Sequence, residues 1–163
     1  MKFKLTALSL LLSCFVLFNS CEKDAERNKV MIYAKSGIVM SAAQETPANA
    51  SPALGSLNVN YNKGSHTLTY QFSWSGLTGP VSVFHIHGLA PVGYAAAVFQ
   101  TFTTSGIVPC TAGGPTSCGS YSGTLFVDEV AIKEKDLLNG FYYVNIHTAT
   151  NPGGEIRGQI RFQ

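Results

Sequence analysis

Three of the four histidines have the residue type and spacing for metal chemistry. His85 and His87 stand two positions apart in Val81-Ser82-Val83-Phe84-His85-Ile86-His87-Gly88, and His147 closes the segment Phe141-Tyr142-Tyr143-Val144-Asn145-Ile146-His147. Phe84 and Ile86 alternate with the first two histidines at the period of a strand. Both rings therefore project opposite an apolar row, roughly 7 Å apart along the chain. In the second segment Tyr142, Val144 and Ile146 form one row and Tyr143, Asn145 and His147 the other. Imidazole nitrogens bind copper or zinc at about 2 Å, and i, i+2 positions on a strand aim two rings at one point. Copper or zinc is thus the cofactor class that His85, His87 and His147 imply. The same rings can instead hydrogen-bond loop carbonyls and acids, holding Gly88–Ala95 and Thr148–Gly154 on an outer sheet face. A catalytic role without metal is a third reading. Asn145, Glu155 and Arg157 belong to the polar network expected there, with Glu155 and Arg157 pairing with each other or with Glu45. No serine or cysteine sits in a recognisable nucleophile elbow and no glycine-rich phosphate cradle follows a strand, so the chain reads as no enzyme.

The elements that must position these residues are short and alternating. Leu57, Val59 and Tyr61 alternate with polar neighbours; Asn62-Lys63-Gly64-Ser65 turns the chain; Leu68, Tyr70, Phe72 and Trp74 return on one face, a hairpin. His66 starts the returning strand and belongs at an edge. Val30–Ala34 and Gly37–Ala43 read as strands broken at Lys35-Ser36-Gly37, and Gln44–Pro52 as a loop. Ala96–Thr103, Ser120–Val127 and Glu155–Phe162 are further strands. Val130–Leu138 is the one helix, with Gly140 at its C-terminal cap. This pattern predicts an all-β antiparallel sandwich or flattened barrel with one short helix. Tyr61, Tyr70, Tyr94, Tyr142 and Tyr143 read as core or surface filler.

The ends of the chain bear on where it works. Met1-Lys2-Phe3-Lys4, the apolar run Leu5–Phe18 and the small residue Ser20 mark residues 1–20 as a signal peptide, too short to span a bilayer. Leu17-Phe18-Asn19-Ser20-Cys21 resembles a bacterial lipoprotein lipobox. That resemblance implies lipidation at Cys21, a tether over 21–29, a domain over 30–163, and a membrane partner reached through the lipid. The expected location is the cell envelope, on the periplasmic or outer-membrane side. Without Lys2 and Lys4, 9 of the 11 basic residues remain against 9 acidic ones, which leaves no electrostatic basis for nucleic-acid binding; a protein or glycan partner stays open. Cys110 and Cys118 flank a loop-forming stretch, and in an oxidising compartment they are expected to bridge.

Two blocks carry a family resemblance: His85-Ile86-His87-Gly88, and Tyr143-Val144-Asn145-Ile146-His147-Thr148 followed by Pro152-Gly153-Gly154-Glu155-Ile156-Arg157-Gly158-Gln159. Together with Thr67–Tyr70 and Gly76-Leu77 they resemble the CHRD domain, the module repeated in chordin, a secreted growth-factor-binding protein. The resemblance spans roughly residues 37 to 162 and implies a binding or structural module without implying chordin's own ligand. A weaker similarity, confined to the site, is to Cu/Zn superoxide dismutases. These Greek-key, immunoglobulin-like sandwiches place a His-x-His pair and a distant histidine around copper. The cluster of additional histidines and an aspartate that holds a bridged zinc has no counterpart between His87 and Phe141, so the similarity implies a single three-histidine site at most.

Overall fold

Alternating apolar residues convert most of this chain into strands, and those strands form one antiparallel sheet. In this computed structural model residues 30–111 and 115–163 are described; the signal segment, Cys21 and the tether expected at 1–29 lie outside them. Tyr33–Gln163 is one of two units into which the chain divides. The strands are β1 (Ile32–Ser41), β2 (Leu54–Asn62), β3 (Thr67–Ser75), β4 (Val81–Gly88), β5 (Val98–Phe102), β6 (Val108–Pro109), β7 (Gly119–Phe126), β8 (Tyr142–Thr148) and β9 (Ile156–Gln159). Their order across the sheet is β5-β4-β8-β9-β1-β2-β3-β7-β6. The sheet folds over so that β3 and β7 face β4. Phe84 lies with ring centroids 5.2 Å from both Phe72 and Trp74 and 5.3 Å from Tyr121. The result is the all-β, sandwich-like architecture that the alternation predicts.

The β2–β3 hairpin pairs in the predicted register, with Leu57 opposite Phe72 and Val59 opposite Tyr70. Its turn is set by Asn62, whose Oδ1 accepts hydrogen bonds from the amides of Gly64 and Ser65. Such a side-chain bond supplies the backbone with a turn in place of a ladder rung. Leu68, Tyr70 and Phe72 are fully buried and their neighbours Thr69, Gln71 and Ser73 exposed.

Three expectations need correction. β1 is continuous where a break at Lys35-Ser36-Gly37 is expected. Gly37 adopts φ +71° and its amide donates to Asn58 Oδ1, so a conformation open to glycine is accommodated without ending the strand. The helix, α1, spans only Glu134–Leu138. The four residues before it are diverted because Asp128 Oδ1 accepts from the amides of Val130, Ala131 and Ile132. Gly140 does close it, donating to the Leu137 carbonyl. Finally, the histidine-bearing face of β4 and β8 is not an outer face. All seven residues of β8 are buried, because loops cover its polar row as thoroughly as aliphatic side chains cover the other.

Cys110 and Cys118 are bridged, with Cα atoms 5.6 Å apart. The residues just before Cys118 serve the core: the Trp74 indole N–H donates to the Thr116 carbonyl at 2.8 Å, and the Val81 amide donates to Thr116 Oγ1. A bridge closing so short a loop contributes roughly 2–3 kcal/mol in the chain-entropy treatment.

Candidate metal centre

Antiparallel pairing of β4 with β8 sets His85 opposite Asn145 and Val83 opposite His147. Directly opposed residues share a face, so His85, His87, Asn145 and His147 form one cluster. One ring nitrogen from each histidine lies within 4.8 Å of the other two. His85 is half-buried, while His87 is 8% and His147 6% exposed.

The hydrogen bonds orient these rings. His147 Nδ1 lies 2.9 Å from the Pro152 carbonyl oxygen and His87 Nδ1 2.9 Å from that of Ala96. A carbonyl only accepts, so each Nδ1 is the donor, and in a neutral ring Nε2 is left with its lone pair. Those two Nε2 atoms point to the same place, 3.0 and 3.1 Å from Asn145 Oδ1. His85 Nδ1 is 2.9 Å from His147 Nε2. The Asn145 amide nitrogen lies on the other side, beside the Glu45 carboxyl. Burial, with His147 and His87 as neighbours, pushes the His85 pKa down to about 4. Burial also lowers that of His147, against the Pro152 bond and with the help of His87. His85 and His147 are therefore held toward the unprotonated form that binds metal.

A stack of side chains supports His87. Its ring lies parallel to that of Tyr143 at 4.7 Å, and the Arg157 guanidinium carbon sits 3.4 Å above the other face of Tyr143. Arg157 is fully buried. It donates to the carbonyls of Tyr94 and Pro91 and to Gln159 Oε1, and Gln159 in turn donates to the carbonyls of Ala90 and Gly140. The β4–β5 loop is thus fastened from beneath through its own backbone oxygens, although Arg157 Nε stays buried without a partner. Glu155, expected to pair with Arg157, does not. It accepts from Ser51 Oγ, from both the amide and hydroxyl of Thr78, and from Thr148 Oγ1, pinning the β3–β4 connection and the Gln44–Ala53 loop. Glu45 is the acid near Arg157, and burial pushes its pKa up to about 7, even though the Arg157 charge, Asn145 and the Thr46 amide act to lower it. Gly154 makes room for that carboxyl: at φ +123° a Cβ would collide with it.

Among the residues proposed from sequence, the structure brings His85, His87, His147 and Asn145 together, and sets Arg157 and Glu155 in separate polar clusters. His66 lies elsewhere, exposed at the hairpin turn with φ +51°; it forms a second acidic-histidine group with Glu129 and Glu134, where Glu134 is already paired with Lys63 at 3.0 Å. Tyr143, filler by sequence, is the stacking partner of His87, and Gln159, Ser51, Thr78 and Thr148 join the polar clusters as residues that sequence reasoning misses. One signal was available: Glu155, Arg157 and Gln159 put three long polar side chains on one row of a strand, a pattern that requires partners wherever that row is covered.

In comparisons with known proteins, residues 37–160 match the family model described as the CHRD domain. No curated protein and no solved structure matches the chain.

Proposed function

We propose, from the premise that this chain belongs to the CHRD domain family, that it is a non-catalytic binding module of the bacterial cell envelope whose ligand is a copper or zinc ion. One observation carries the metal reading. The Nδ1 atoms of His87 and His147 are committed to backbone carbonyls while their Nε2 lone pairs converge beside His85. Metal-binding histidines regularly donate their second nitrogen in this way, which fixes the tautomer and the ring direction. In neutral rings two lone pairs and the Asn145 oxygen face one another, an arrangement that a cation at about 2 Å from the nitrogens relieves. Three neutral nitrogen donors suit copper and zinc over magnesium or calcium.

A second reading draws on the same Nδ1 bonds: the histidines act as fasteners for the β4–β5 and β8–β9 loops, and the module binds its partner elsewhere. The two readings part at the Nε2 atoms of His87 and His147: a metal takes both, whereas fasteners leave that of His147 accepting from His85 Nδ1. Export and attachment through a lipid on Cys21 rest on the lipobox pattern of the first residues, and they supply the oxidising compartment that a bridged Cys110–Cys118 requires.

Chelator-treated protein titrated with Cu2+ and, separately, with Zn2+ in a calorimeter is expected to take up one equivalent of at least one ion. His147→Ala should weaken that uptake by on the order of 100-fold. Absence of binding at micromolar metal, or binding that His147→Ala leaves untouched, would remove the metal reading and leave the fastener.

A further inference from the structure

We propose that the outer face of β2, β3 and β7 is a binding surface for a neutral polysaccharide, independent of the histidine cluster. Cross-strand register aligns Asn58, Gln71 and Ser122 in one rung and Asn60, Thr69 and Thr124 in the next. Every other outward position of these strands between Ser56 and Asn62, Thr67 and Ser75, and Ser120 and Thr124 is likewise Ser, Thr or Asn. The face is open to solvent along β3 and β7.

The chemistry of this lattice selects its partner. Exposed protein surface is ordinarily about a quarter to a third charged, yet no outward position in these strands carries Asp, Glu, Lys or Arg. Nucleic acids and anionic headgroups draw their affinity from Lys and Arg, so neither finds a counter-charge here. An apolar partner needs a contiguous apolar patch, whereas Leu54, Val108 and Phe126 lie apart at the margins of the face. What the face offers is hydroxyl and amide groups, nearly all able both to donate and to accept. They repeat at about 4.8 Å between strands and about 6.7 Å along them. Sugar hydroxyls have the same dual character, and a neutral glycan chain presents them in rows. Phe126 completes the surface: it stands opposite Thr67, is 64% exposed, and lies 6.4 Å from the His66 ring at an interplanar angle of 62°. A ring so exposed can receive the C–H face of a sugar, the use to which an exposed aromatic beside polar groups is suited.

Affinity electrophoresis through gels containing β-glucan, mannan, xylan or dextran tests this. Wild-type protein should be retarded by at least one of them, equally at low and high salt because no ion pairs are involved. Gln71→Lys and Phe126→Ala should each weaken retardation about tenfold, the worth of one or two hydrogen bonds or a lost ring contact, with far-UV circular dichroism unchanged. Val98→Lys, on an exposed position of β5, should leave retardation as in wild type. Retardation in none of the four gels, retardation only by an anionic polymer such as hyaluronan and abolished by salt, or a wild-type dimer that Gln71→Lys splits would each overturn the proposal. The calorimetric metal titration is unaffected by any of these outcomes.

Discussion

Glu155→Ala is expected to destabilise the fold by about 4 kcal/mol at pH 7, the loss of several hydrogen bonds to a charged acceptor together with the desolvation cost of donors left unpaired. The side chain is fully buried, and the Thr78 amide at 2.7 Å and the Ser51 hydroxyl at 2.6 Å both depend on one of its oxygens. Alanine offers none of these donors an acceptor, and the covering loops limit replacement by water. Glu155→Gln keeps one oxygen and should cost about half as much. The pH dependence follows from the direction of the pKa. Burial works to raise it, but hydrogen bonds from Ser51, Thr148 and Thr78 outweigh burial and hold the carboxyl below its ordinary range. A depressed carboxyl stabilises the native state above the unfolded value and loses that contribution as pH falls through the folded one. The gap between wild type and Glu155→Ala should therefore narrow in acid. Urea unfolding at pH 7 and pH 3 measures it; a cost under 1 kcal/mol at pH 7 would show that the carboxylate is not the anchor of the two loops.

Glu45→Gln is expected to behave in the opposite sense. The carboxyl titrates at about 7 in the folded protein against an ordinary value of 4.5, so the native state binds more protons than the unfolded chain between those limits. Stability attributable to this group therefore falls as pH rises from about 4.5 to about 7. Glutamine, isosteric with the protonated acid, escapes that penalty. The variant should match wild type near pH 4 and exceed it by about 3 kcal/mol at pH 8, as an upper bound from the shift. The comparison is made on chelator-treated protein, and the difference between the two proteins cancels the opposing contribution of His85, whose pKa is lowered. Should Glu45→Gln be the less stable protein at pH 8, the Arg157 charge would outweigh burial, and the acid would be a paired anion throughout.

How much of the site was legible in the chain depends on the range of the interaction. His85 and His87 could be paired from two neighbouring positions, because side chains two apart in a strand share a face whatever the fold. That His147 meets them follows from the β4–β8 register, which joins segments some sixty residues apart and which nothing local specifies. The helix is shorter than its residues suggest for a similar reason. Ala131 and Ile132 have adequate helix propensity, but one Asp128 oxygen takes up the amides that a first turn would have left free.

By itself the sequence determined the strands, the hairpin, the family and the pairing of His85 with His87 on one row, since each depends on period-two alternation or on contiguous motifs. Only the tertiary structure decided that this row is buried, that Arg157 holds a loop and stacks on Tyr143 rather than pairing with Glu155, and that the Nδ1 atoms are taken by Ala96 and Pro152. The physical reason is that alternation states which residues share a face, whereas burial depends on what later folds across that face. Loops reach there through backbone carbonyls, and a carbonyl is the same group in every residue.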